Sequence, residues 1–190
     1  MFTHSPQMSV ESIQDAELRV LQLGSYLNRV DIVKTISHET LLLATAERLY
    51  KMIRMEDMDD ELCHPLHVSC KRGHIDVVRY MLEEGVDPNV SGHYILSYTV
   101  NALHVAAHYG QYAICELLLP YMNDINNMVD FNGPNTALEM AVTENHLDVS
   151  SLLLENGADT QYAMNPNRKI DIHPYMLELL YIYGMPKHEK

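Results

Sequence analysis

Three stretches of this chain align on one another without a gap: "HPLHVSCKRGHIDVVRYMLEEGVDPN" from His64, "NALHVAAHYGQYAICELLLPYMNDIN" from Asn101 and "TALEMAVTENHLDVSSLLLENGADTQ" from Thr136. Repetition of this kind constrains a fold more than any single motif, because a unit that cannot bury its apolar face alone must stack on its neighbours. Four columns are apolar in every unit: Leu66, Leu103 and Leu138; Val77, Ile114 and Val149; Met81, Leu118 and Leu153; Leu82, Leu119 and Leu154. They are the expected core. Gly73, Gly110 and Asn145 share a column where a short helix must stop in a left-handed residue, which glycine tolerates best and asparagine next. Gly85 and Gly157 close a second helix, and Asp87, Asp124 and Asp159 open the loop that follows.

Each unit therefore reads as a short helix, a tight turn, a longer helix and an extended loop. Pro65 suits the first helical position of unit one, and Asn101 and Thr136 suit the N-caps of units two and three. The elements "HPLHVS", "GH" and "MLEEGVD", then "NALHVA", then "TALEMA" with "LLLENGAD" resemble the signatures of the ankyrin repeat. The resemblance covers residues 61–163 and implies an all-α ankyrin-repeat solenoid, stacked helix-turn-helix units with projecting β-hairpin loops. It also implies that His67 and His104 bond backbone at the junctions between units, with Glu139 departing from that pattern in unit three. The spacing is 37 and then 35 residues against the usual 33, and the larger insertion falls in Val90 to Val100. Pro120 in unit two shortens its second helix.

The flanks are expected to cover the ends of the stack. Residues 1–60 read as an N-terminal helical cap or a degenerate repeat. Helices are expected over 11–36 and 40–55, the latter with Leu42, Ala46, Leu49 and Ile53 on one face, while "NRVDIVKTI" resembles a second repeat helix. Residues 164–190 read as a C-terminal capping helix and tail, with Pro174 at its start and Met176, Leu177, Leu180 and Ile182 as its apolar positions.

Net charge is −13, distributed as −4 over residues 1–60, −10 over 61–160 and +1 over 161–190. No Lys or Arg lies between Arg79 and Arg168, so nothing there could neutralise phosphates and direct nucleic-acid binding is opposed. A protein partner with a neutral or basic surface is favoured. Three cysteines argue against a disulfide framework. The first residues lack a basic-then-apolar leader, and no run of eighteen apolar residues could span a bilayer. A soluble cytoplasmic or nuclear monomer with no membrane association is expected.

"CHPLHVSCKRGH", Cys63 to His74, has the composition of a zinc site. In the alignment, however, His67 falls in the column of His104, His74 in that of His146, and Cys70 in that of Ala107 and Val142. These are scaffold positions, so no metal and no cofactor is expected. There is no Gly-rich phosphate loop, H-E-x-x-H or G-x-S-x-G, and no catalytic residue is assigned. The acidic run Glu56 to Glu61 reads as a solvated connection or as a docking edge for a basic segment.

The resemblance implies partner contacts on the exposed side of the short helices and at the loop tips. The residues so assigned are Lys71 and Arg72, His108 and Tyr109, Thr143 and Glu144 on the helices. In the loops they are Ser91, His93, Tyr94 and Tyr98, then Phe131 and Asn132. "LLPYMNDIN" is similar to the motif of the asparaginyl hydroxylase that modifies ankyrin loops, which marks Asn126 as its candidate target. The function expected is a non-catalytic protein–protein interaction module, an adaptor or inhibitor. The alternatives are an acidic escort for a basic client and a pathogen effector that imitates a host ankyrin inhibitor.

Overall fold

The computed structural model describes residues 10–43, 64–90, 92–94, 98–130, 134–163 and 172–184. Repeat unit one is α4 (Pro65–Arg72) and α5 (Ile75–Glu83), unit two α6 (Ala102–His108) and α7 (Tyr112–Leu118), unit three α8 (Ala137–Thr143) and α9 (Leu147–Glu155). Before them stand α1 (Val10–Tyr26), α2 (Val30–Val33) and α3 (His38–Leu43); after them come α10 (Thr160–Ala163) and α11 (Pro174–Gly184). Two antiparallel hairpins project between units: β1 (Gly92–Tyr94) with β2 (Tyr98–Val100), and β3 (Val129–Asp130) with β4 (Pro134–Asn135).

The starts of the short helices follow their sequence. Pro65 occupies the first position of α4, and the His64 ring accepts from the Leu66 amide. Asn101 accepts from the His104 amide, and Thr136 with Glu139 closes a reciprocal capping box. Such caps contribute about 1 kcal/mol each by satisfying amides that the helix leaves orphaned. The ends are equally regular. Gly73, Gly110 and Asn145 adopt φ of 75°, 67° and 61°. The next residue in each case donates back five positions, His74 to Ser69, Gln111 to Ala106 and His146 to Ala141, at 2.8–2.9 Å. These are Schellman turns, in which a left-handed residue lets two amides reach the last carbonyls of the helix.

The same turn appears earlier. Asn28 has φ 55° and Arg29 donates to the Gly24 carbonyl at 2.9 Å. The helix expected over 11–36 is therefore two helices, because Asn28 falls in the column of Gly73 and breaks the ladder there. Leu21 aligns with Leu66, Ser25 with Cys70 and Val33 with Val78, and all six are buried. With α2, the end of α1 forms a degenerate unit whose second helix is one turn long. The helix expected over 40–55 is described only as α3 at its start; its remainder lies outside the described residues.

The core runs unbroken through the stack. Leu66, Leu103, Leu138, Met81, Leu118 and Leu153 are fully buried, each a side chain whose burial stabilises by about 1.5–3 kcal/mol. Leu82 and Leu154 are buried and Leu119 is half-buried, since α7 ends at Leu118 and passes into a 3-10 turn, Leu119–Tyr121, at Pro120. Gly85 and Gly157 close α5 and α9 in left-handed turns of the same Schellman form. Asp87, Asp124 and Asp159 each accept from the amide two residues on, at 2.8–2.9 Å.

Candidate partner-binding face

One column ties each short helix to its neighbour. The His74 Nε2 meets the Tyr26 carbonyl at 3.1 Å, the Gln111 amide donates to the Lys71 carbonyl at 3.2 Å, and the His146 Nε2 meets the His108 carbonyl at 3.0 Å. A carbonyl can only accept, so Nε2 carries the proton in both histidines. The bonds end on Tyr26, Lys71 and His108, three of the residues immediately before the turns. Backbone contacts thereby fix the spacing of the side chains on the concave side.

Those side chains contact one another across units. The Arg72 guanidinium lies over the Tyr26 ring at 3.6 Å, and the Lys71 ammonium lies 5.3 Å from the centre of the Tyr109 ring. His108 meets Tyr109 edge-on, with ring centres 4.8 Å apart, and its Nδ1 is 3.6 Å from a Glu144 carboxylate oxygen. Partial burial lowers the affinity of His108 for a proton, with Glu144 opposing that shift. Thr143 turns its hydroxyl back to the Glu139 carbonyl at 2.8 Å. Cation–π contacts of this kind contribute about 0.5–1 kcal/mol at exposed sites and hold the cations in place. The sequence reading missed Tyr26. Matching "YLNR" to "KRGH" would have found it, with Asn28 standing where Gly73 stands.

Of the loop residues assigned from the sequence, His93 pairs with Thr99 and Tyr94 with Tyr98 across the first hairpin. Ser91, Phe131 and Asn132 lie outside the described residues. The loops are clamped to each other by asparagines. Asn89 Oδ1 accepts from the Asn123 amide at 3.0 Å, and Asn126 Oδ1 accepts from the Asp159 amide at 2.8 Å. The candidate hydroxylation target is thus a clamp between loops.

The histidines implied to hold the junctions differ in what they do. His104 is buried, with Nε2 at 3.0 Å from the Asn127 carbonyl and Nδ1 at 2.6 Å from Asn101 Oδ1. Its burial outweighs the carbonyls that favour the protonated ring and brings its pKa down to about 4. His67 faces the equivalent carbonyl, that of Val90, and this contact alone favours its proton; burial and the neighbouring His64 and His104 hold its pKa well below the ordinary value. Neither of its nitrogens makes a hydrogen bond. The junction bond expected of His67 is therefore absent: the contact with Val90 falls short of hydrogen-bond geometry, in a loop whose insertion lengthens the path to unit two. In unit three, Glu139 bonds the Thr136 amide instead.

Cys70 and Cys115 are core residues. Burial pushes the Cys115 thiol up to about 12 and Cys70 well above its usual range, so both stay protonated. Among the described residues no group of three or more His, Cys, Asp or Glu is placed to hold a metal ion, and no helix is long and apolar enough to cross a membrane. On the outer side, the early end of α7 opens two clefts of about 500 and 410 Å³ that share Glu116 and Pro120.

A family model described as ankyrin repeats, in three copies, matches residues 21–128 and 93–163. The chain belongs to the ankyrin-repeat family. The match begins at Leu21, in the degenerate unit that the Asn28 turn defines. Ankyrin relatives include the ARF GTPase-activating protein Git of Drosophila melanogaster, 36% identical over 98 residues, which are 52% of this chain and 13% of the relative. The human transient receptor potential cation channel subfamily A member 1 is 29% identical over 152 residues, 80% of this chain and 12% of the channel protein. An ankyrin repeat protein of Fowlpox virus (strain NVSL) is 34% identical over 100 residues, 53% of this chain and 28% of the viral protein. The chain thus spans between about an eighth and just over a quarter of these relatives. Ankyrin repeats are general protein–protein interaction modules.

Proposed function

We propose that this chain is a non-catalytic ankyrin module, an adaptor or inhibitor in the cytoplasm or nucleus. It holds a partner protein along the concave row from Tyr26 through Arg72, Lys71, Tyr109 and His108 to Glu144. The observation that carries the reading is the bridging of neighbouring units by these side chains, above a backbone spaced by the His74, Gln111 and His146 bonds. Tyrosine and arginine supply large contact areas with few rotatable bonds, and side chains already ordered lose less entropy on binding. The diversity of the relatives, a GTPase-activating protein and a channel subunit among them, supports assigning binding rather than chemistry to the part they share. A net charge of −13 favours a partner whose overall surface is neutral or basic.

Capture of partners on wild-type protein is compared with an Arg72→Ala/Tyr109→Ala variant and with Arg79→Ala, which lies on α5 beside the outer cleft. The expected result is a partner lost from the concave variant and kept by the outer one; equal capture by all three overturns the assignment. A second reading, an acidic escort for a basic client, rests on the net charge alone. It requires that the captured protein dissociate between low and moderate salt and be indifferent to Tyr109.

A further inference from the structure

Unit two ends its second helix differently from its neighbours. Helices α5 and α9 are nine residues long and close at Gly85 and Gly157, after which Val86 and Ala158 tuck into the core. Helix α7 is seven residues long, and "PYMN", Pro120 to Asn123, stands where unit three has "ENGA". Pro120 has no amide to continue the helical ladder. Met122 takes the glycine column, and the exposed Asn123 takes the column of Val86 and Ala158. This ending is held in place. The Asn89 side chain donates to the Tyr121 carbonyl at 2.9 Å and accepts from the Asn123 amide at 3.0 Å.

The two outer clefts follow from that ending and lie one on each side of α7. Towards α5 the walls include Ile75, Ala113, Leu117 and Tyr121, with Arg79 beside them. Towards α9 they include Leu119, Met122, Ile125 and Leu152. Glu116 and Pro120, one helical turn apart, form the ridge that both clefts share. An exposed carboxylate therefore stands between two largely apolar hollows. Charge on this side is biased. The three outer helices hold Asp76, Glu83, Glu116, Asp148 and Glu155, all exposed, against one cation, Arg79. Such a surface draws a cationic partner and repels an acidic one.

Spacing selects the shape of that partner. Packed neighbouring helices lie about 8–10 Å apart, so the grooves on the two sides of α7 are separated by about the same distance. Residues seven apart in an α-helix share a face at a separation of about 10.5 Å. Same-face residues of a strand are about 7 or about 13 Å apart. We propose that the outer clefts bind a basic amphipathic helix of a partner protein, laid across α7. It puts one apolar side chain into each cleft, seven residues apart, and a lysine or arginine between them against Glu116. This face is independent of the concave row and is specific to unit two, whose ending creates it.

Titration of the ¹⁵N-labelled full chain with a synthetic peptide, followed by amide shifts, tests the proposal. The probe is a helical alanine–glutamine peptide with two leucines seven positions apart and two lysines midway between them. One control peptide replaces the leucines by serine, and another places a proline at the centre to break the helix. Wild type is expected to saturate with one peptide, with shifts grouped at 116–125 and 152–156. Glu116→Lys is expected to weaken binding roughly tenfold, since it exchanges an attraction for a repulsion of similar size. The variant Pro120→Glu/Tyr121→Asn/Met122→Gly/Asn123→Ala carries the ending of unit three and is expected to lose the clefts and the binding. Absence of saturable binding to wild type overturns the proposal, as do shifts grouped on Arg72, Tyr109 and Glu144 instead. So does undiminished affinity in Glu116→Lys, or equal binding of either control peptide.

Discussion

Replacing Gly110 by alanine acts directly on the junction between units two and three. Gly110 has φ +67°, and a Cβ there would stand 2.6 Å from Cε1 and Nδ1 of His146. The left-handed conformation costs a residue with a Cβ about 1–2 kcal/mol. The His146 ring must also withdraw from the His108 carbonyl, forfeiting a hydrogen bond that contributes about 0.5–1.5 kcal/mol. The sum is about 1.5–3.5 kcal/mol. Gly157→Ala is the control, because Gly157 has φ +93° and nothing lies within 4 Å of its Cβ position; only the conformational cost applies there. Urea unfolding followed by circular dichroism, with the denaturant slope unchanged, should place the midpoint of Gly110→Ala below that of Gly157→Ala by the equivalent of about 1 kcal/mol. Equal midpoints would show that the His146–His108 bond contributes nothing, and the rigidity assigned to the concave row would lose its basis.

Acidification should destabilise the fold through His104. Its pKa is about 4 in the folded protein and about 6.5 when unfolded. Below pH 6.5 the unfolded chain therefore binds a proton that the folded chain refuses, and stability falls until pH 4 by about 3 kcal/mol in total. His67 acts in the same direction. A urea midpoint that stays constant or rises between pH 7 and pH 5 would contradict this, and His104→Gln should flatten the slope. Asn126→Ala removes the bond to the Asp159 amide and should cost about 1 kcal/mol; separately, the intact mass of protein from its native source should show a +16 species if Asn126 is hydroxylated. Cys70 and Cys115, buried and protonated, should resist a maleimide in the native state and react in denaturant, as read by peptide mapping.

Legibility in the sequence followed the range of the interaction. Pro65, Asn101 and Thr136 act within three residues of themselves, and they cap the helices where the sequence placed them. Gly73, Gly110 and Asn145 turn the chain for a reason local to their own φ. The break at Asn28 was overlooked because its column identity emerges only when the unit before His64 is aligned as well. The concave assignments Lys71, Arg72, His108, Tyr109 and Glu144 came from the ankyrin resemblance; the structure brings Lys71, Tyr109, His108 and Glu144 into a chain of contacts and sets Arg72 on Tyr26. Their pairing was not legible, because it depends on how far one unit is shifted against the next.

The sequence by itself determined the repeat, its caps and turns, the core columns and the acidic balance of the chain. Each of these is set by a residue's own conformational preference or by a periodicity that stacking must satisfy. Only the tertiary structure decided which short-helix residues meet across a junction, and that His104 bonds the next loop while His67 does not. Those outcomes rest on distances between segments some twenty to fifty residues apart. Such distances arise from the summed packing of the stack, and no single residue encodes them.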